Sequence, residues 1–120
     1  EGKPAFAPND ALDPQQAIDL IHRARGVAVL AHPAFVHGDV EALLVAMIGH
    51  GLDGIEAHYP DHTPEQTRRY SEIARAHGLI VTGGSDFHGL TADAEYEFGE
   101  IGLPAGAVEA LDARIAACRG

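Results

Sequence analysis

Gly83-Gly84-Ser85-Asp86-Phe87-His88-Gly89 follows the apolar run Leu79-Ile80-Val81-Thr82. The run has the composition of a short buried strand. The glycines behind it permit close backbone approach and dihedrals that other residues avoid. Asp86 and His88 stand two apart. In extended chain both side chains therefore leave one face, with Cα atoms roughly 6–7 Å apart. That spacing suits a carboxylate and an imidazole serving one metal ion or two adjacent ones.

Upstream, the same arrangement recurs. Val27-Ala28-Val29-Leu30-Ala31 reads as a continuous apolar strand of the kind buried on both faces of a parallel sheet, and His32-Pro33 terminates it. Gly54-Ile55-Glu56-Ala57-His58-Tyr59 reads as the next strand, followed by Pro60-Asp61-His62. Helical patterns separate the strands. Asp13-Pro14-Gln15-Gln16 carries the cap, proline and glutamine of a helix start, and Thr63-Pro64-Glu65-Gln66 repeats it. The first helix should present Ala17, Ile18, Ile21 and Ala24 inward and end at Gly26. Val40, Leu43, Leu44, Met47 and Ile48 make one face of the second, bracketed by Gly49 and Gly51. The third should run to about Ala76, with Gly78 closing it. Residues 90–103 are acidic and aperiodic. Pro104 should open a last helix with Val108, Leu111, Ile115 and Cys118 as its apolar stripe. The order α-β-α-β-α-β-loop-α, after an extended lead-in over 1–12, predicts one domain of the α/β class with parallel strands.

Sites in such folds lie outside the carboxyl ends of the strands. His32, Glu56, His58, His62, Asp86 and His88 all fall there and should gather on one rim. Each also has a plainer reading. His32 could bond a backbone carbonyl, Asp86 could cap a turn, and Glu56 could satisfy a neighbouring backbone group or an arginine. His32, Asp86 and His88 are the metal-ligand candidates, with Asp86 and His88 also the catalytic ones. His62, His58 and Arg68 are the candidate substrate contacts, with Arg69 beside them. His37 reads as solvated, and His22, His50 and His77 as exposed helix residues.

The totals narrow the chemistry. A net charge of −10 over 120 residues argues against a non-specific nucleic-acid binder, which needs a basic face. It leaves room for a phosphorylated substrate, because bound divalent ions invert the local field. The only cysteine, Cys118, sits in the last helical pattern, so neither a disulfide framework nor a thiolate site is expected. With no apolar run long enough for a membrane span and no leader pattern, a cytoplasmic setting is the expectation. Dinucleotide, Walker-type and nucleophile-elbow spacings are absent.

Gly26-Val27-Ala28-Val29-Leu30-Ala31-His32-Pro33, Gly54-Ile55-Glu56 and Gly84-Ser85-Asp86-Phe87-His88-Gly89, in this order, resemble the later motifs of the PHP (polymerase and histidinol phosphatase) superfamily. The lead-in Gly2-Lys3-Pro4-Ala5-Phe6-Ala7-Pro8 is similar as well. The nearest likeness is to small metal-dependent phosphoesterases, among them 3′,5′-bisphosphate nucleotidases and RNA 5′-end trimming enzymes.

The resemblance implies a distorted (β/α)7 barrel of parallel βα units holding two or three divalent ions (Mn, Fe or Zn). It implies as substrate a phosphorylated small molecule, a nucleotide or an RNA end. His32, Asp86 and His88 match the family's late ligands. The early ligands, a His-x-His pair and further His and acidic residues, have no counterpart before His32. The chain is therefore expected to be the C-terminal part of a larger barrel, to be inactive alone, and to pair or self-associate through an open sheet edge. The alternative is a non-catalytic metal- or nucleotide-binding module used in assembly.

Overall fold

A computed structural model describes residues 12–89 and 99–119. Helix α1 (Pro14–Arg23) starts at a full capping box: the Asp13 side chain accepts from the Gln16 amide, and the Gln16 side chain accepts from the Asp13 amide. Thr63 and Gln66 do the same for α3 (Pro64–Ala76). Each box satisfies amides that a helix start otherwise leaves orphaned. Helix α2 (Val40–Gly49) begins behind an Asp39 cap.

Strands β1 (Val29–Leu30), β2 (Gly54–His58) and β3 (Ile80–Gly83) form one parallel sheet in that order. This bears out the α/β class. The central strand β2 carries the core, with Ile55 and Ala57 fully buried, joined by Ile18, Leu44, Tyr70 and Ala74. Burying a side chain such as Ile55 or Leu44 contributes about 1.5–3 kcal/mol. Near its carboxyl end β2 slips register against β3: Glu56 pairs with Thr82, but His58 pairs with Gly83. Such a bulge twists the strand and re-aims the side chains beyond it. Here it lies at the rim where the candidate residues sit.

Several expectations need correction. The first strand is shorter than Val27–Ala31, and Val29 and Leu30 are only half-buried because β1 is an edge of the sheet among the described residues. Arg25, not Gly26, takes the left-handed conformation after α1 (φ 62°), and Ile21 and Ala24 stay exposed. Helix α4 begins at Ala107 rather than Pro104, behind a turn in which the Pro104 carbonyl accepts from the Ala107 amide. Its buried residue is Ala107; Val108 faces outward. Residues 1–11 of the expected lead-in and 90–98 of the acidic stretch 90–103 lie outside the described residues.

His22 is the largest departure. Read as an exposed helix residue, it is half-buried, with Nε2 2.7 Å from the Asp53 carboxylate. Asp53 is 4% exposed, and its Oδ2 also accepts the Ala28 amide at 2.8 Å. Its Oδ1 takes Arg114 of α4 at 3.3 Å, and that guanidinium reaches on to the Gly78 carbonyl. One carboxylate thus ties α1, the start of β1, β2 and α4 together at the amino-terminal rim of the sheet. A buried charge needs this many partners to offset its desolvation.

Candidate metal centre

At the opposite rim, β1 ends in Ala31-His32 and a single 3-10 turn, Pro33–Phe35. His32 holds φ 29° and Asp86 φ 56°; with Arg25 they are the non-glycine residues at positive φ among those described. Such conformations cost free energy and persist only where surroundings enforce them, commonly at functional sites. Asp tolerates the left-handed region better than most residues. For His32 the enforcing contact is visible: its amide donates to Glu56 Oε1 at 3.0 Å. Glu56 therefore has the backbone-satisfying role that the sequence left open.

Tyr59, directly after β2, joins two of the three candidate ligands. Its ring lies 5.4 Å from the His32 ring between centroids, and its hydroxyl donates to Asp86 Oδ2 at 2.9 Å. Burial above all, then the bonded Asp86 carboxylate, with Asp61 and Glu56 adding negative potential, pushes the phenol up to about 12. Tyr59 is thus a standing donor. Phe35 packs edge-on against it and tilted against His32, leaving about half its own surface exposed.

His88 is open to solvent on its loop, its side chain 80% exposed. Its Nδ1 donates to the Asp86 carbonyl, which can only accept, so the neutral ring keeps Nε2 as the free acceptor. Metal-binding histidines are commonly held in this way. Nδ1 also stands 3.7 Å from Asp86 Oδ1. The His32 ring makes no hydrogen bond among the described residues.

The candidate substrate contacts fare differently. His62 is 8% exposed and both ring nitrogens are engaged: Nδ1 donates to the Ala57 carbonyl at 2.8 Å, and Nε2 accepts the Ala34 amide at 3.4 Å. In this arrangement it clips the 3-10 turn to the end of β2, with no nitrogen left for a ligand. His58 is half-buried beside Gly83 at the rim. Arg68 lies exposed on α3, 3.9 Å from Glu72, while Arg69 makes a forked pair with Glu41 at 2.8 and 3.0 Å. That pair holds the Glu41 carboxyl below its usual range.

Imidazole and carboxylate donors of the right chemistry for a divalent ion therefore stand on one rim. Among the described residues, however, no three His, Cys, Asp or Glu side chains converge closely enough to hold one. The described donors do not by themselves make a closed metal site.

No family model matches the chain. A phosphoribosyl 1,2-cyclic phosphate 1,2-diphosphodiesterase from Eggerthella lenta is 41% identical over 80 residues, covering 67% of this chain and 30% of that protein. The 5′-3′ exoribonuclease Rnm of Escherichia coli is 37% identical over 90 residues, 72% of this chain and 31% of the relative. Among solved structures, a metal-dependent phosphoesterase assigned in Bifidobacterium adolescentis superimposes with a TM-score of 0.77 at 32% identity. It matches 94% of this chain and 40% of its own. The chain belongs to the PHP superfamily.

Other superfamily relatives agree. A 3′,5′-nucleoside bisphosphate phosphatase from Chromobacterium violaceum is 32% identical over 90 residues. An amidohydrolase from the same organism, solved with bound sulfate and no metal, superimposes with a TM-score of 0.69 at 28% identity. The chain spans about a third of the length of these curated PHP relatives, matching their C-terminal part.

Tyr59, Asp53 and the His62 clip went unread in the sequence. For Tyr59 one signal existed: a tyrosine closing an expected strand that carries Glu56 and His58. For Asp53 the signal was an acid set between Leu52 and Gly54-Ile55, with no polar neighbour to keep it at the surface.

Proposed function

We propose that this chain forms part of a divalent-metal site that hydrolyses phosphate esters of a nucleotide or an RNA end. Its contribution to the ligand set would be His32, Asp86 and His88. The observation that supports this most is the Tyr59 bridge, which brings a strained His32 and a strained Asp86 to one rim. The relatives' phosphoesterase names point the same way. Divalent ions, when bound, would neutralise phosphoryl charge and lower the pKa of an attacking water.

The chain's own residues have narrower tasks. Asp86 presents a carboxylate oxygen to the rim, and His88 presents Nε2. His58, at the same end of the sheet, and Arg68, exposed on α3, are the groups this reading assigns to substrate oxygens. Because no three donors converge among the described residues, this reading takes further ligands from outside them, and the chain alone should turn over little substrate. Among the described residues β1 and β3 are the edges of the sheet, and there a further strand, from another segment or another copy, would pair. Among the described residues no helix is long and apolar enough to cross a membrane. A cytoplasmic setting belongs to this reading.

A second reading follows from the incomplete donor set itself: a metal- or nucleotide-binding module without turnover. Both are tested with the purified chain and Mn²⁺. Release of inorganic phosphate from a nucleoside 3′,5′-bisphosphate and from an aryl phosphate would be followed, along with Mn²⁺-induced NMR line broadening. Broadening centred on His32, Asp86 and His88, with weak turnover, is expected. Broadening elsewhere, or unchanged in Asp86→Ala, would sink the ligand assignment. Full turnover by this chain alone would sink its incompleteness, and Mn²⁺ binding with no turnover in any longer form of the protein would favour the module.

A further inference from the structure

We infer that Tyr59 is a positioning residue, one that fixes Asp86 in a single rotamer and packs His32 beside it so that both face one ligand. The inference rests on the ligand reading above and extends it to a residue that need not touch metal or substrate. Asp86 sits in the loop after β3, outside any helix or strand, with a side chain 37% exposed. A carboxylate so placed would sample several rotamers, and ordering it at the moment of ligand binding costs conformational entropy.

Tyr59 removes that freedom in advance. Its own ring has no room to move: it is 8% exposed and lies 5.3–5.5 Å from the rings of His32, Phe35 and His62. The hydroxyl at the end of this fixed ring holds Oδ2 at 2.9 Å. Oδ1 is left on the His88 side, 3.7 Å from that ring's Nδ1. A hydrogen bond to a charged oxygen is about twice as strong as a neutral one, so a single donor can set the rotamer. The same ring packs tilted against His32. Two donors separated by 54 positions (86 − 32) are thus oriented by one side chain.

Tyr59→Phe keeps the ring and its packing and deletes only the hydroxyl. The test reads three quantities in the full chain: the denaturation midpoint, the Asp86 side-chain rotamer from NMR couplings without metal, and the Mn²⁺ concentration that broadens His32 and Asp86. In the unaltered chain Asp86 should hold one rotamer. In Tyr59→Phe it should average among rotamers, the Mn²⁺ requirement should rise about 10-fold, and the midpoint should barely move. A merely structural role would move the midpoint instead. An averaged Asp86 rotamer in the unaltered chain, or an unchanged rotamer and Mn²⁺ requirement in Tyr59→Phe, overturns this inference alone. If Mn²⁺ broadens neither His32 nor Asp86 in the unaltered chain, the ligand reading falls and the inference with it.

Discussion

His22 and Asp53, 31 positions apart in sequence, meet at 2.7 Å at the amino-terminal rim of the sheet, with the carboxylate buried and the imidazole half-buried. The carboxylate also holds the Ala28 amide and Arg114, so its loss strands more than one donor. Asp53→Ala is expected to destabilise the chain by about 3–5 kcal/mol, the range for breaking a buried ion pair from one side. His22→Ala removes a single partner and should cost about 1–2 kcal/mol. Urea unfolding of both variants checks the order. Equal losses would show that Asp53 is not the hub.

Gly83 faces a narrower constraint. A Cβ there would stand 2.6 Å from His58 Cβ, 2.8 Å from the His58 carbonyl oxygen and 2.9 Å from that of Gly102. Two of these atoms are backbone, so the clash cannot be relieved by turning a side chain. Gly83→Ala should cost about 1–3 kcal/mol, as overpacking does. It should also shift the amide resonances of residues 58 and 102, whereas Gly49→Ala, which meets nothing, should not.

Alkaline titration addresses Tyr59. Its phenol is raised to about 12, by burial first and the Asp86 hydrogen bond second. The fold therefore favours the protonated form over the unfolded chain, where tyrosine titrates near ~10. The associated stability is complete below pH ~10 and is lost as the pH rises through about 12. In the metal-free protein, phenolate absorbance should show a late component that vanishes in Tyr59→Phe. Tyr70 is also raised, by burial first and the Glu41 charge second. Titration of all tyrosines together near pH ~10 would contradict the buried, bonded phenol.

Separation of chemistry from stability is tested by Asp86 against Leu44. The helical pattern marks Leu43 as core, but Leu43 is half-buried and Leu44 fully so. Leu44→Ala should cost ~2–5 kcal/mol and leave the Mn²⁺ response of the folded fraction intact. Asp86→Ala should abolish that response at a cost below that of the leucine truncation. Calorimetric titration with undiminished Mn²⁺ affinity in Asp86→Ala would refute its assignment.

The readable parts of this chain are those written in short-range chemistry. Asp13-Pro14-Gln15-Gln16 and Thr63-Pro64-Glu65-Gln66 specify their helix starts by local hydrogen bonds, and both appear as read. Strand ends follow from where apolar runs stop, so His32 and Asp86 were legible as rim residues. His22 was not, because its partner comes from a turn 31 residues later, and nothing in a helical period announces it. His62 looked like a rim histidine for the same reason. Its distance along the chain from β2 was right, yet the 3-10 turn at Pro33–Phe35 covers it. Burial made by another segment has no local signature.

The Asp53 network and the His32–Tyr59–Asp86 arrangement occupy opposite ends of β2. Substitutions at the carboxyl end can alter which donors are offered, while the amino-terminal carboxylate goes on fixing the helices in place. Drift in ligand or substrate preference among sequences with this sheet is thereby uncoupled from drift in foldability. A change in the donors at one end of β2 therefore needs no compensating change in the carboxylate network at the other.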